Sequence, residues 1–137
     1  PTTARDDALT VVGQLWTGTA PDEAIRWFAA QTFTSDDARM LSFRDFSTAL
    51  TDAEPEVAER WIASLTDPAA ADAALGGAIE ALFDESPERA LKTAMRIKDT
   101  VSRTIAIGDV LREWRDTEPD AAAEAEARLL PKPAKKP

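Results

Sequence analysis

The chain has 137 residues, a formal net charge of −9 and 44% hydrophobic residues, a composition typical of one soluble globular domain. It contains no cysteine, histidine or tyrosine, which excludes disulfides, thiolate metal sites and imidazole ligands or general bases. Its negative charge disfavours duplex nucleic acid as a direct partner, and no apolar run approaches the ~20 residues of a membrane span. We therefore expect a cytoplasmic domain with no cofactor, no metal and no membrane contact.

In chain order, the sequence predicts eight helices, at residues 4–17, 21–32, 36–51, 55–65, 69–83, 87–98, 101–116 and 119–129. N-cap candidates precede three of them: Ser35 or Asp36, then Asp67, then Asp99 or Thr100. The glycine pair at 76–77 falls inside an apolar helical pattern, so we interpret it as a point of close packing or a soft point in the helix rather than a turn. The proline- and lysine-rich tail at 131–137 is predicted to be disordered.

Four of these helices begin with similar nine-residue segments: "PDEAIRWFA" at Pro21, "PEVAERWIA" at Pro55, "PERALKTAM" at Pro87 and "PDAAAEAEA" at Pro119. The spacings are 34, 32 and 32 residues, and each proline is followed by an acid and then by an alanine three residues on. Proline suits the first helical turn, where its missing N–H loses no bond, and it pushes the preceding residue out of helical geometry. Each proline therefore predicts the end of one helix and the start of the next.

The segments before the four prolines share three apolar positions. Twelve residues upstream are Leu9, Phe43, Leu75 and Ile107; nine upstream are Val12, Phe46, Ala78 and Val110; five upstream are Trp16, Leu50, Leu82 and Trp114. These offsets step by three and four residues, which is the rhythm of one helix face. The repetition predicts an all-α fold: a right-handed superhelix of about three and a half antiparallel helix-hairpin repeats in one domain, residues 1–130, with a continuous apolar interior.

Repeats of this length, built from helix pairs and ending near "DP", resemble the tetratricopeptide group, although its tryptophan–glycine–tyrosine pattern is missing. The stretches "ERWIASLTDPAAADAALGGAIEALFDESPERAL" and "IKDTVSRTIAIGDVLREWRDTEPDAAA" are more similar to alanine-rich helical-repeat proteins of planctomycete and verrucomicrobial type. The resemblance covers about residues 20–129. It implies a scaffold architecture and says almost nothing about activity.

A basic stripe is the first candidate site. Arg26, Arg60 and Lys92 occupy the same place in successive repeats, and Arg96 lies one turn beyond Lys92. Stacked repeats would align them on one surface that could bind an acidic peptide or a C-terminal carboxylate. The plainer interpretation is that each of the first three pairs with an acid four residues earlier on its own helix.

Aromatic and amide side chains accompany this stripe. Gln31 and the exposed edges of Trp27 and Trp61 complete the predicted partner-binding set, although tryptophans at these positions more often fill the space between stacked hairpins. Arg39 and Arg103 recur near helix starts, where we expect them to tie a turn to a neighbouring helix. The carboxylate pairs have neither the spacing nor the glycine of a calcium loop, and no catalytic motif is present.

We therefore predict a non-enzymatic protein–protein interaction module or small scaffold that binds a protein or peptide partner. One alternative is an acidic decoy that imitates DNA and occupies a nucleic-acid-binding protein. Another is a homo-oligomeric building block, such as a homodimer. A DNA mimic requires carboxylates in a phosphate-like row on one face, whereas a scaffold requires a groove of mixed chemistry.

Overall fold

The computed structural model describes residues 2–133, and within that range every regular element is an α-helix. The helices are α1 (Ala4–Thr17), α2 (Pro21–Ala29), α3 (Asp36–Ala53), α4 (Pro55–Ser64), α5 (Pro68–Phe83), α6 (Pro87–Ala94), α7 (Thr100–Thr117) and α8 (Pro119–Leu129). The all-α class and the eight helices are confirmed. The superhelical arrangement stays a prediction, and residues 134–137 of the predicted tail lie outside the described residues.

The helix starts follow the local sequence signals. The four repeat prolines begin α2, α4, α6 and α8. Ser35, Asp67 and Asp99 are the N-caps of α3, α5 and α7, and each side chain accepts a backbone N–H from the first turn of its helix. None of the helices in the described range combines the length and the apolar character that a membrane crossing requires.

Two helices, α2 and α6, end three to four residues earlier than predicted. After α2, the backbone N–H of Thr34 donates to the Asp6 carboxylate at 3.3 Å. After α6, the backbone N–H groups of Lys98 and Asp99 donate to the Asp72 carboxylate at 2.9 and 3.0 Å. The sequence of these segments is compatible with helix, but hydrogen bonds to the rest of the fold hold them in turns.

The core consists of two apolar clusters joined at Ile79, which packs against both. The first cluster centres on Phe28, whose ring stacks on Phe46 at 4.2 Å between centroids. The second lies between α5, α6, α7 and α8 and includes Leu91 and Trp114. The predicted continuous interior is therefore two cores that meet at one half-buried side chain.

The first helix departs from the predicted apolar pattern. Val12 is 47% exposed, while the buried residues of α1 are Asp6, Thr10, Gly13 and Thr17. A Cβ on Gly13 would lie 3.0 Å from the Phe46 ring, so the ring occupies the space beside the α1 backbone that a larger residue would fill. Because Asp6, Thr10 and Thr17 are among the buried residues of α1, the face of α1 that meets α3 is mainly polar.

Helices α3 and α5 form the most extensive helix–helix interface within the described residues. A Cβ on Gly77 would lie 2.1 Å from the Arg44 carbonyl oxygen, so only glycine fits there. The Ser47 hydroxyl donates to the Ala74 carbonyl at 2.6 Å, and the Thr48 hydroxyl donates to the Gly77 carbonyl at 3.2 Å. The glycine pair is thus a close-packing point, as the sequence indicated, but only at its second member.

Arg39 ties a turn to a neighbouring helix as expected, whereas Arg103 bonds the loop directly before its own helix. The Arg39 guanidinium donates to the N-cap carboxylate of α5, Asp67, at 2.7 Å and lies 5.0 Å above the Phe43 ring. Arg103 donates to the carbonyls of Ile97 and Lys98 at 2.9 and 3.3 Å. The Arg39 contact fixes the loop before α5, and the Arg103 contacts fix the loop before α7.

Replacing Gly77 with alanine should lower the free energy of unfolding by about 1–3 kcal/mol, because the methyl group overlaps the α3 backbone. Gly76→Ala is the matched control, since a Cβ there meets no described atom within 4 Å. The control should gain up to about 1 kcal/mol from helix propensity. Urea denaturation followed by circular dichroism measures both, and equal effects of the two substitutions would contradict the close-packing assignment.

Asp6 should make the free energy of unfolding depend on pH in the acidic range. The Thr34 hydroxyl and the Thr3 hydroxyl and backbone N–H donate to its buried carboxylate, and they lower the pKa of Asp6 to about 2 although burial raises it. Because the folded pKa lies below the ordinary value of about 3.9, this contribution is complete above about pH 4 and is lost as the pH falls towards 2.

Asp6→Asn should therefore destabilise the protein at pH 7, and its difference from wild type should narrow as the pH falls from about 4 to 2. Asp7→Asn removes the same charge at an exposed position of the same helical turn and should keep the wild-type pH profile. Unfolding free energies measured across this pH range test the prediction. A difference between wild type and Asp6→Asn that is constant with pH would refute it.

Candidate functional site

The repeat spacing relates two pairs of neighbouring helices. Because Pro87 and Pro119 are 32 residues apart, residues of α5 and α7 that differ by 32 occupy equivalent positions. The face of α5 that packs against α3 includes Ala74 and Gly77, and Ala70 and Ala81 continue the same helical spacing. The equivalent residues of α7 are Ser102, Ala106, Asp109 and Glu113.

The α5–α7 pair also packs differently from the α3–α5 pair. Within residues 2–133, α6 packs against both α5 and α7, but α5 and α7 share no interface comparable to that of α3 and α5. A groove of about 940 Å³ lies between them instead, and Ser102, Ala106, Asp109 and Glu113 all line it. Its volume is at the upper end of the ~300–1,000 Å³ range of ligand-binding clefts. We call this cleft the α5–α7 groove.

The base of the α5–α7 groove is apolar. Ile97 and Val110 are buried at its bottom, and Ile79 and Phe83 are half-buried along the α5 wall. Ile105 projects from the α7 wall and is 58% exposed. An exposed isoleucine beside half-buried apolar side chains offers hydrophobic contact area to a ligand.

The rim of the groove is acidic. One arginine, Arg44, lines it and pairs with Glu80 at 3.3 Å. Six carboxylates line it: Asp72, Glu80, Asp84, Asp99, Asp109 and Glu113. Hydrogen bonds from the Ser102 hydroxyl and backbone N–H hold the pKa of Asp99 below its usual value, so this carboxylate stays ionised near neutral pH. The lining thus carries a net charge of −5, against −9 for the whole chain.

One end of the groove is closed by Asp72. This side chain of α5 accepts the N–H groups of Lys98 and Asp99, the two residues immediately before α7. The start of α7 is therefore attached to α5 through backbone hydrogen bonds. Beyond this attachment the two helices are separated by the groove.

The predicted basic stripe lies on other helices. Arg26 and Arg60 are exposed on α2 and α4, and neither forms an ion pair with another residue in the described range. Lys92 pairs with Glu88 at 3.0 Å, and Arg96 pairs with Glu59 of α4 at 2.5 Å. The expected pairing along one helix is therefore present in one of three repeats, and the charges of Lys92 and Arg96 are balanced by neighbouring acids.

The aromatic members of the predicted set are mainly structural. Trp61 is 6% exposed and lies 5.2 Å from Phe46 between ring centroids, so its ring belongs to the first core cluster. Trp27 is half-buried against Trp16 at 6.0 Å, and Gln31 uses its amide to bond the Trp27 carbonyl. Trp61 is therefore not available on the candidate surface. Trp27 and Gln31 are half-buried, so only their edges are exposed there.

The groove residues were missed by the sequence analysis, which aligned the repeats on their shared apolar positions. The available signal was the positions at which the repeats differ. At the place of Gly77 the next repeat has Asp109, and at the place of Ala81 it has Glu113. At these two positions α7 has charged residues where α5 has glycine and alanine, and α7 does not make with α5 the close contact that α5 makes with α3.

Within the described part of the chain, no cluster of three or more acidic, histidine or cysteine side chains has a geometry that could hold a metal ion. Comparisons of this chain with protein-family models, with curated proteins and with solved structures found no significant match.

Asp72→Ala should detach the start of α7 from α5, because two backbone N–H groups lose their acceptor. We expect a loss of about 1–2 kcal/mol in unfolding free energy, since both groups are exposed enough to bond water instead. Amide hydrogen exchange at Lys98 and Asp99 should accelerate. Asp109→Ala is the control, because it removes a carboxylate from the same groove without touching this attachment; equal exchange rates in the two variants would argue against the role of Asp72.

Proposed function

We propose that this chain is a non-enzymatic, cytoplasmic interaction module that binds a segment of a protein partner in the α5–α7 groove. One observation carries the proposal: α3 and α5 pack backbone against backbone at Gly77, whereas the equivalent faces of α5 and α7 are apart and line a cleft. A partner segment in that cleft would occupy the place that a neighbouring helix occupies in the preceding repeat.

The chemistry of the groove favours a partner segment over the two alternatives. A DNA mimic requires a row of carboxylates without apolar anchors, but here the acids border a base of Ile79, Phe83 and Val110. Buried or half-buried apolar side chains of this kind serve as anchor pockets in protein recognition. The basic stripe supports the proposal less well, because Lys92 and Arg96 already have acidic partners.

Gly76 allows the groove to be blocked with one substitution. A Cβ at Gly76 points into open space within the groove lining and meets no described atom within 4 Å, so Gly76→Trp should fill the cleft without disturbing the core. Gly108→Trp is the matched control, since Gly108 is also helical and exposed, and a Cβ there equally meets nothing in the described residues.

The test compares tagged wild type, Gly76→Trp and Gly108→Trp in extracts of the host cell by quantitative mass spectrometry. A partner that wild type and Gly108→Trp retain should be lost from Gly76→Trp, and the purified partner should show the same order in calorimetry. Circular dichroism and thermal unfolding should be similar for the two tryptophan variants. If Gly76→Trp retains every partner at the wild-type level, the groove is not the binding surface.

A further inference from the structure

The charge distribution around the α5–α7 groove specifies what kind of segment fits it. Both walls contribute acids: Asp72, Glu80 and Asp84 lie on or directly after α5, and Asp99, Asp109 and Glu113 lie on or directly before α7. Asp84 and Glu113 form no ion pair with any described residue. A segment in the groove therefore has unpaired negative charge on each side of it and apolar side chains beneath it.

We infer that the groove binds a basic amphipathic helix, with its apolar face on Ile79, Phe83 and Ile105 and lysines or arginines along both flanks. This inference rests on the proposed function and adds the chemical class of the partner. Its basis is complementarity: six carboxylates and one already paired arginine would repel an acidic segment and attract a basic one.

A helical occupant is favoured over an extended one. An extended segment brings unpaired backbone N–H and C=O groups, which other chains satisfy by offering a sheet edge. Both walls here are α-helices whose backbone groups are already bonded, and the rim offers carboxylate acceptors. A helix bonds its own backbone and presents apolar residues at i, i+3, i+4 and i+7 to such a groove.

A second copy of this chain is a poorer occupant of the groove. Each copy carries a net charge of −9, so the approach of a second copy to a rim of carboxylates is opposed by like-charge repulsion. The occupant is therefore expected to be a partner with a basic segment.

The probes are three synthetic peptides of about five helical turns. One is an amphipathic helix with leucine on one face and lysine and arginine on both flanks. The second has glutamate at every basic position, and the third keeps the basic composition with the leucines shuffled off one face. Fluorescence anisotropy measures the binding of each peptide to the full chain.

Two charge variants localise the binding. Asp84→Asn combined with Glu113→Gln removes two unpaired rim charges, and Asp52→Asn combined with Glu124→Gln removes two exposed charges that do not line the groove. The rim variant should bind the basic amphipathic peptide about fivefold more weakly at low salt, from two exposed charge pairs. The control variant should bind like wild type, and Gly76→Trp should abolish binding.

The basic amphipathic peptide should bind wild type at least about tenfold more tightly than either of the other peptides, and its affinity should fall as salt rises. Equal binding of the basic and the acidic peptide, both blocked by Gly76→Trp, would overturn the charge inference and leave the groove as a docking site. Equal binding of the basic peptide to wild type and to Gly76→Trp, or to both charge variants, would show general attraction to an acidic protein and would also overturn it. Absence of binding by all three peptides would overturn the inference. The proposed function is tested separately, by whether the Gly76→Trp and Gly108→Trp variants retain the cellular partner.

Discussion

The fold depends on how closely α3 and α5 approach. Gly77 faces the Arg44 carbonyl so closely that a single methyl group would overlap it, and Ser47 uses the same proximity to reach the Ala74 carbonyl. This contact joins the second and third repeats, the helix pairs α3–α4 and α5–α6, into one tight unit. The next repeat lacks the glycine, so α7 is held by Asp72 at its start and by α6 behind it. The helices thus pack most closely at Gly77 and leave a groove between α5 and α7.

Most of the fold could be predicted because its signals are local. Proline at a first helical turn and a capping side chain such as Asp67 act within a few residues, so the helix starts were predicted closely. The errors occur where distant residues decide. Segments after α2 and α6 are held in turns by bonds to Asp6 and Asp72, and Val12 is exposed because α1 meets α3 through a polar face. No local pattern contains that information.

The sequence analysis placed the candidate site on the basic stripe and not in the α5–α7 groove, again because it used patterns within the sequence alone. The sequence analysis looked for residues that recur, and Arg26, Arg60 and Lys92 recur. Recurrence marks what the repeats share, which is mainly packing and solvated helix faces. The groove lies where α7 differs from the preceding repeat, at Asp109 and Glu113. That difference has a meaning only when the equivalent position in the previous repeat, Gly77, is known to be an interhelical contact.

The same charges explain why α7 does not close onto α5. Closure would bury Ile105 and shelter Ile79 and Phe83, gaining about 1.5–3 kcal/mol for each large side chain fully removed from water. It would also press Asp109 and Glu113 of α7 towards the wall that carries Glu80 and Asp84. Glu80 and Asp109 are paired with Arg44 and Arg112, but Asp84 and Glu113 form no ion pair with a described residue. Burying an unpaired carboxylate costs several kcal/mol even after relaxation, which offsets the apolar gain. A basic ligand changes this balance because it supplies the missing counter-charges, so the apolar base can be buried without stranding the acids.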